Sequence, residues 1–322
     1  MDLHLLIDNL TNPALLFFFF GILAVQLKSD LEIPPSSSKF ISLYLLFSIG
    51  FKGGLELSHS NLDMEILWSL LFGVLLAIIV PIYSFVLLRK KFGVANAGAI
   101  AAAYGSVSAV TFVTAVTFLE IEKISFGGHM VAVMALMEAP SIIVGVLLMS
   151  LSRKNDEEEK KVSLKGVLHH SLTNGSVLLI LGSLLIGFLA NDQQAEGITP
   201  FTTDIFKGFL AVFLLDMGIT SGKKLSSFLQ NGWSALIFAI LVPLFNGCAV
   251  AYLSKGITES TGNQFLFAIL AASASYIAVP AAMRLAAPKA NPSLYVPMAL
   301  AITFPFNITI GMPIYLYIIQ SF

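Results

Sequence analysis

Ala99-Ile100-Ala101-Ala102-Ala103-Tyr104-Gly105-Ser106-Val107-Ser108-Ala109-Val110-Thr111 stands 169 residues before Ala268-Ile269-Leu270-Ala271-Ala272-Ser273-Ala274-Ser275-Tyr276-Ile277-Ala278-Val279-Pro280, and seven of the thirteen positions are identical. Each stretch begins apolar and then runs into small and hydroxyl residues: Gly105, Ser106, Ser108 and Thr111 in one, Ser273, Ser275 and Pro280 in the other. Alanine-rich segments match readily by chance. A shift of 168, however, also lays Gly50 and Gly54 over Gly218 and Gly222. Two matches at nearly one spacing argue that the chain is a duplication. Pro280 has no amide hydrogen to give and crowds the preceding turn, which frees carbonyls near Tyr276. Each stretch therefore reads as a helix interrupted at its middle.

The surroundings set where these interruptions lie. The chain is 57% hydrophobic and 11% charged, with a mean hydropathy of +0.86. Soluble domains are about 45–50% apolar and about 25% charged. The apolar residues gather in ten blocks, at 12–27, 37–57, 66–88, 97–119, 128–151, 174–190, 203–222, 232–253, 264–287 and 293–320. Most have the roughly 17–25 residues that cross a bilayer as helix and are too long for barrel strands. The expected fold is an all-α integral membrane protein of ten transmembrane helices. Five spans per half is an odd number, so the halves, 1–151 and 174–322, must be two inverted five-helix repeats. Broken helices 4 and 9 then meet near the midplane. Inverted repeats with interrupted helices characterise secondary transporters, where half-helix N-termini face an anion. Close helix packing is the other reading of small residues at these positions.

Fourteen of the 18 Lys and Arg residues fall in loops on one side and three, Lys123, Lys207 and Lys255, on the other; Lys52 is within a span. By the positive-inside rule both termini are outside the cytoplasm. The 152–173 stretch, with its charged run Arg153 to Lys161, is then a cytoplasmic loop. Net charge is −1 with no basic patch outside short loops, which excludes a nucleic-acid surface, and the composition excludes disorder. The single Cys248 excludes disulfides and cysteine metal sites. No basic leader or small-residue cleavage site opens the sequence. Phe17 to Phe20 reads as lipid-facing or packing bulk. The five histidines fall at loops or span ends, and no zinc-protease motif, phosphate loop or nucleophile elbow is present. Neither ATP-driven transport nor membrane-enzyme chemistry has a motif to rest on, and no cofactor is expected.

Charges inside spans are costly and mark function by default. Three stand out: Lys52 in Gly50-Phe51-Lys52-Gly53-Gly54, Asp216 before Met217-Gly218, and Glu138 before Ala139-Pro140. A Lys52–Asp216 ion pair would neutralise two of them; snorkelling of Lys52 to an interface is the alternative. Span 10 carries Pro305, Asn307, Thr309 and Pro313 opposite Glu138 in the repeat. Carboxylate, amide, hydroxyl and freed carbonyls are hard ligands suited to a small cation, or a carboxylate that takes up a proton. A polar contact holding a kinked helix is the bland reading.

The sequence resembles the cyanobacterial sodium-dependent bicarbonate transporter family. The likeness is carried by Gly105-Ser106-Val107-Ser108 with Thr111, Leu119-Glu120 and Lys123-Ile124-Ser125. It continues in Ser273-Ala274-Ser275-Tyr276-Ile277 through Pro280, Arg284 and Pro288 to Ala290-Asn291-Pro292-Ser293 and Tyr295. Ile49-Gly50, Gly53-Gly54 and Ser60-Asn61-Leu62 add to it. The resemblance implies a core part moving against a gate part, homotrimers, and an anion site at the two breaks. That site is expected at Gly105, Ser106, Val107, Ser108 and Thr111 with Ser273, Ala274, Ser275 and Tyr276. Cation or coupling residues are expected among Glu138, Asn307, Thr309, Lys52 and Asp216, with a sodium site at Glu138 and Ser108. Arg284 matches a family arginine.

Two departures bear on the cation. Tyr276 stands where the family's serine-rich break carries an aspartate, and Lys52 where the family has a small hydroxyl residue. The loop is also shorter than the family's typical one, an argument against regulation by a PII-like trimer. The expected function is sodium-coupled bicarbonate symport across a bacterial inner membrane, with partners limited to bicarbonate or another small anion, sodium and the lipid bilayer. An uncoupled or proton-coupled anion carrier or channel is the alternative.

Overall fold

The computed structural model describes residues 10–60, 63–152, 166, 169, 173–228 and 232–321. Most of the charged loop expected at 152–173 lies outside these residues, as do Asn61 and Leu62. Every regular element among the described residues is helical. In chain order the longer helices are α1 (Pro13–Gln26), α2 (Pro35–His59), α3 (Met64–Gly105), α4 (Ala109–Ile121), α5 (His129–Ser152), α6 (Gly175–Leu189), α7 (Phe206–Phe228), α8 (Trp233–Leu253), α9 (Thr261–Ala272), α10 (Ala278–Ala286) and α11 (Pro292–Ser321). Six stretches are long and apolar enough to cross a membrane, and α1, α6 and α9 are shorter apolar helices.

Local chemistry sets the ends. Asn12, Asp63, Ser108, Asn174, Ser260 and Asn291 each precede a helix and accept a hydrogen bond from an amide of its first turn. Such side chains satisfy donors that have no partner inside the helix. Gly93 interrupts α3 at φ 77°, a conformation that side chains with a Cβ resist, so the chain turns there between two helical stretches. In α11 the backbone widens into π turns at Met298–Thr303 and Asn307–Gly311, flanking Pro305, which cannot donate into a regular ladder.

Packing divides the helices into two groups. α1 lies along α7 and α2 along α6, and α7 also touches α2. In the second group α3 packs on α5, and α8, α9 and α11 pack together, with α9 against α4. In the first group the helices approach backbone to backbone. A Cβ at Gly21 would strike the Leu215 carbonyl, and one at Gly218 the Phe18 carbonyl. Likewise a Cβ at Gly54 would strike the Leu184 carbonyl, and one at Gly187 the Phe51 carbonyl. Without a strong hydrophobic drive between helices in lipid, this closeness supplies the dispersion contact that holds them.

Candidate functional site

The two interruptions lie where the sequence places them. Helical structure stops after Gly105 and resumes at Ala109; it stops after Ala272 and resumes at Ala278. The two breaks touch. The Ser275 amide donates to the Ala103 carbonyl at 2.8 Å, and the Ser108 amide donates to Ser273 Oγ at 3.1 Å. Neighbouring helices donate to the carbonyls at each break. Ser141 Oγ donates to Ala102 O at 2.9 Å, Asn307 Nδ2 to Ala272 O at 2.8 Å, and Asn246 Nδ2 to Ala271 O at 3.1 Å. Irregular backbone at this depth is thus paid with protein partners, as the hydrocarbon core demands.

A small cavity of about 20 Å³ sits at the junction. Val107, Ser108 and Ala109 line it from the first break, Ser275, Tyr276, Ile277 and Ala278 from the second, and Glu138 from α5. Ser42 and Leu46 of α2 and Ser176 of α6 close the other wall. Ser108 also caps α4 by accepting from the Thr111 amide at 3.2 Å, and Ser275 Oγ accepts from the Val279 amide at 3.4 Å. Glu138 is buried, and its Oε1 has no hydrogen-bond partner among the described residues; the buried hydroxyls of Tyr276 and Ser106 are in the same condition. The Tyr276 ring stands edge-on to Phe304 at 6.1 Å between centroids. Unsatisfied buried oxygens are rare and costly, so a cluster of them beside a cavity marks a place for a ligand.

Of the expected anion residues, Val107, Ser108, Ser275 and Tyr276 line this cavity. Gly105, Ser106, Thr111, Ser273 and Ala274 stand behind it. Ser273 is spent as a brace, donating to Leu270 O and accepting from Ser108. Gly105 lets the Pro81 ring and Ser141 come close.

The cation candidates separate. Glu138 lines the cavity, beside the same space as Ser108. Asn307 and Thr309 do not line it: Asn307 donates to the Ala272 carbonyl at the end of α9 and accepts from Tyr315 Oη, and Thr309 Oγ1 donates to the Pro305 carbonyl in its own helix at 2.7 Å. The carbonyl at the end of α9 thus engages Asn307, and a carbonyl one turn back engages Thr309.

The expected Lys52–Asp216 ion pair is corrected. Lys52 Nζ pairs with Glu120 Oε1 at 2.8 Å, with the Phe206 ring 5.8 Å away. Asp216 Oδ2 instead accepts from Ser38 Oγ and lines a groove with Glu32 and Lys223. The carboxylate at the end of α4 is near Lys52 in space, although it lies far from it in sequence. Lys52 and Glu120 remain about one-third exposed, so their pairing is worth roughly 0.2–1 kcal/mol. The charge swap Lys52→Glu with Glu120→Lys is expected to restore the thermal stability and uptake lost by either single change. A swap of Lys52 with Asp216 is expected to restore neither. Purified variants compared by melting temperature and uptake check this, and rescue by the Asp216 swap would sink the assignment.

Ser42 and Ser176 were not foreseen. Each is a serine near one end of an apolar helix, a pattern too common to signal a site. The only hint is that Ser38 and Ser42 share a face of α2 at helical spacing.

An all-helical chain with several membrane-spanning stretches and a polar, partly unsatisfied cavity between two broken helices defines a multi-pass membrane carrier. The chain belongs to the Na+-dependent bicarbonate transporter superfamily, whose sequence signature matches residues 13–320. It is therefore a transporter rather than an enzyme. No curated protein matches it.

Proposed function

We propose that this chain carries bicarbonate inward together with sodium, by alternating access at the cavity between the two breaks. The observation that carries the reading is Glu138: a buried carboxylate oxygen with no partner, sharing a cavity with the Ser108 and Ser275 side chains. A sodium ion ligated by Glu138 and Ser108 would satisfy that oxygen, and its charge would lower the cost of holding an anion on the break amides and serine hydroxyls. At about 20 Å³ the cavity has room for roughly one water, so bicarbonate enters only as the walls part. Those walls belong to different helix groups. α2 and α6 form the gate side, and the breaks with α5 form the core side.

Ten spans in two inverted halves is the architecture we assign. Its support is the exchanged pairing: α1 of the first half packs on α7 of the second, and α6 of the second on α2 of the first. The glycines at matching positions, Gly50 and Gly218, make those contacts, against the Ile180 and Phe18 carbonyls. We place both termini outside the cytoplasm in a bacterial inner membrane, on the lysine and arginine distribution. A homotrimer fits the family, and the short 152–173 stretch argues against a PII-like regulator.

The test is uptake of radiolabelled bicarbonate into proteoliposomes of the pure protein. Accumulation above equilibrium under an inward sodium gradient is the expected result. Equal uptake with choline in place of sodium would overturn coupling and favour the uncoupled or proton-coupled carrier. Tyr276 in place of a carboxylate is the observation that favours this second reading.

A further inference from the structure

On the face that lysine and arginine mark as cytoplasmic, a chamber of about 520 Å³ opens between α7, α10 and α11. Its lining and that of the central cavity have Tyr276 and Ile277 in common. Ile277 is about half exposed, whereas Tyr276 is buried. The wall between chamber and cavity is therefore one residue thick, and the Tyr276 ring makes most of it.

The backbone before and after this ring is held. The Ser275 amide donates to the Ala103 carbonyl, and Ser275 Oγ accepts from the Val279 amide. The ring has looser company: it meets Phe304 edge-on, and its hydroxyl has no hydrogen-bond partner among the described residues. Motion at this place falls to the side chain, which can turn without parting the joined breaks.

The hydroxyl is directed at the cavity. It stands close to Ser108, which lines that space from the other break, without making a hydrogen bond to it. Ser108 and Ser275 already accept from the amides of Thr111 and Val279. Two carboxylates weigh against an anion here, Glu138 in the cavity and Asp216, which acts on Tyr276 from α7. Donors are then at a premium, and a buried phenol that donates to nothing in the protein is one kept for cargo.

We propose that Tyr276 is the inner door of the carrier and reads its cargo: the ring closes the central cavity off from the chamber, and the hydroxyl donates to a small oxyanion held behind it. That the anion is bicarbonate rests on the transport reading; the wall does not. Because one side chain both shuts and binds, a filled seat favours the shut door, and release to the chamber breaks the donor bond as the ring swings.

The test uses the full chain purified in detergent, so that reagent meets both faces. Val107→Cys, at a buried position on the cavity wall, is made in a Cys248→Ala background and reacted with methyl methanethiosulfonate, which is small and neutral. Adding Tyr276→Ala is expected to speed labelling by about tenfold, whereas Tyr276→Phe keeps the ring and should label as slowly as the parent. If Tyr276→Ala does not accumulate, Tyr276→Val opens the same gap. The hydroxyl is read separately, from the rise in melting temperature with bicarbonate at fixed sodium. Tyr276→Phe is expected to need about tenfold more bicarbonate for the same rise, as for one lost hydrogen bond to a charged group. Equal labelling of the parent and Tyr276→Ala would overturn the door. Equal bicarbonate dependence of the parent and Tyr276→Phe would overturn the donor. A parent that bicarbonate does not stabilise would overturn the anion, and the transport reading with it, while the door stands or falls by labelling, which needs no turnover.

Discussion

Glu138→Gln is expected to slow sodium-driven bicarbonate uptake by about ten- to a hundredfold, and to raise the half-saturating sodium concentration more than that of bicarbonate. The magnitude follows from contacts to a charged group, worth about 1.5–3 kcal/mol each, at 1.36 kcal/mol per factor of ten. The variant should at the same time be no less stable than the parent. Without cargo, the Glu138 oxygen is buried and unpartnered, so exchanging it for a neutral amide of the same shape relieves a desolvation cost. Loss of transport with stability kept separates a cargo ligand from a structural prop. Sodium titration of uptake and a melting curve on one preparation give both readouts. Unchanged sodium half-saturation would remove Glu138 from the cation site.

Gly54→Ala is expected to cost about 1–3 kcal/mol of stability, although alanine is the better helix former by about 1 kcal/mol. The new methyl would meet the Leu184 carbonyl and the Phe188 amide, and neither belongs to a side chain that can swing away. α2 and α6 would have to separate, and both line the site, so uptake falls with stability. Gly182→Ala is the control. It is in α6 too, but its methyl would meet nothing within 4 Å, so it should be neutral or stabilising. Thermal unfolding of both variants in one detergent checks the pair, and equal shifts would show that the glycines act through helix propensity rather than contact.

How far the sequence led depended on whether the signal was local. Apolar length is local, and the helices lie over the apolar blocks it marks. The breaks were legible because hydroxyl residues and Pro280 interrupt apolar helix in the same place twice. The partner of Lys52 was not. Several acids were in reach of a span-bound lysine, and choosing Glu120 requires knowing how α4 is set against α2. That Asn307 and Thr309 donate to the carbonyls of Ala272 and Pro305 was likewise beyond the sequence, since their residue types name a chemistry and not a partner. The turn at Gly93, by contrast, was legible, because Arg89-Lys90-Lys91 ends one apolar block and the next begins at 97, and the chain turns in that gap.

The two hydrogen bonds that join the breaks make one mechanical part of segments contributed by opposite ends of the chain. On the proposed reading, a ligand seated there meets the same donors whichever mouth is open, because amide and carbonyl travel together. Nothing in the seat itself then prefers import to export. Direction is left to the concentrations on the two sides, and the carrier runs in reverse when those are inverted.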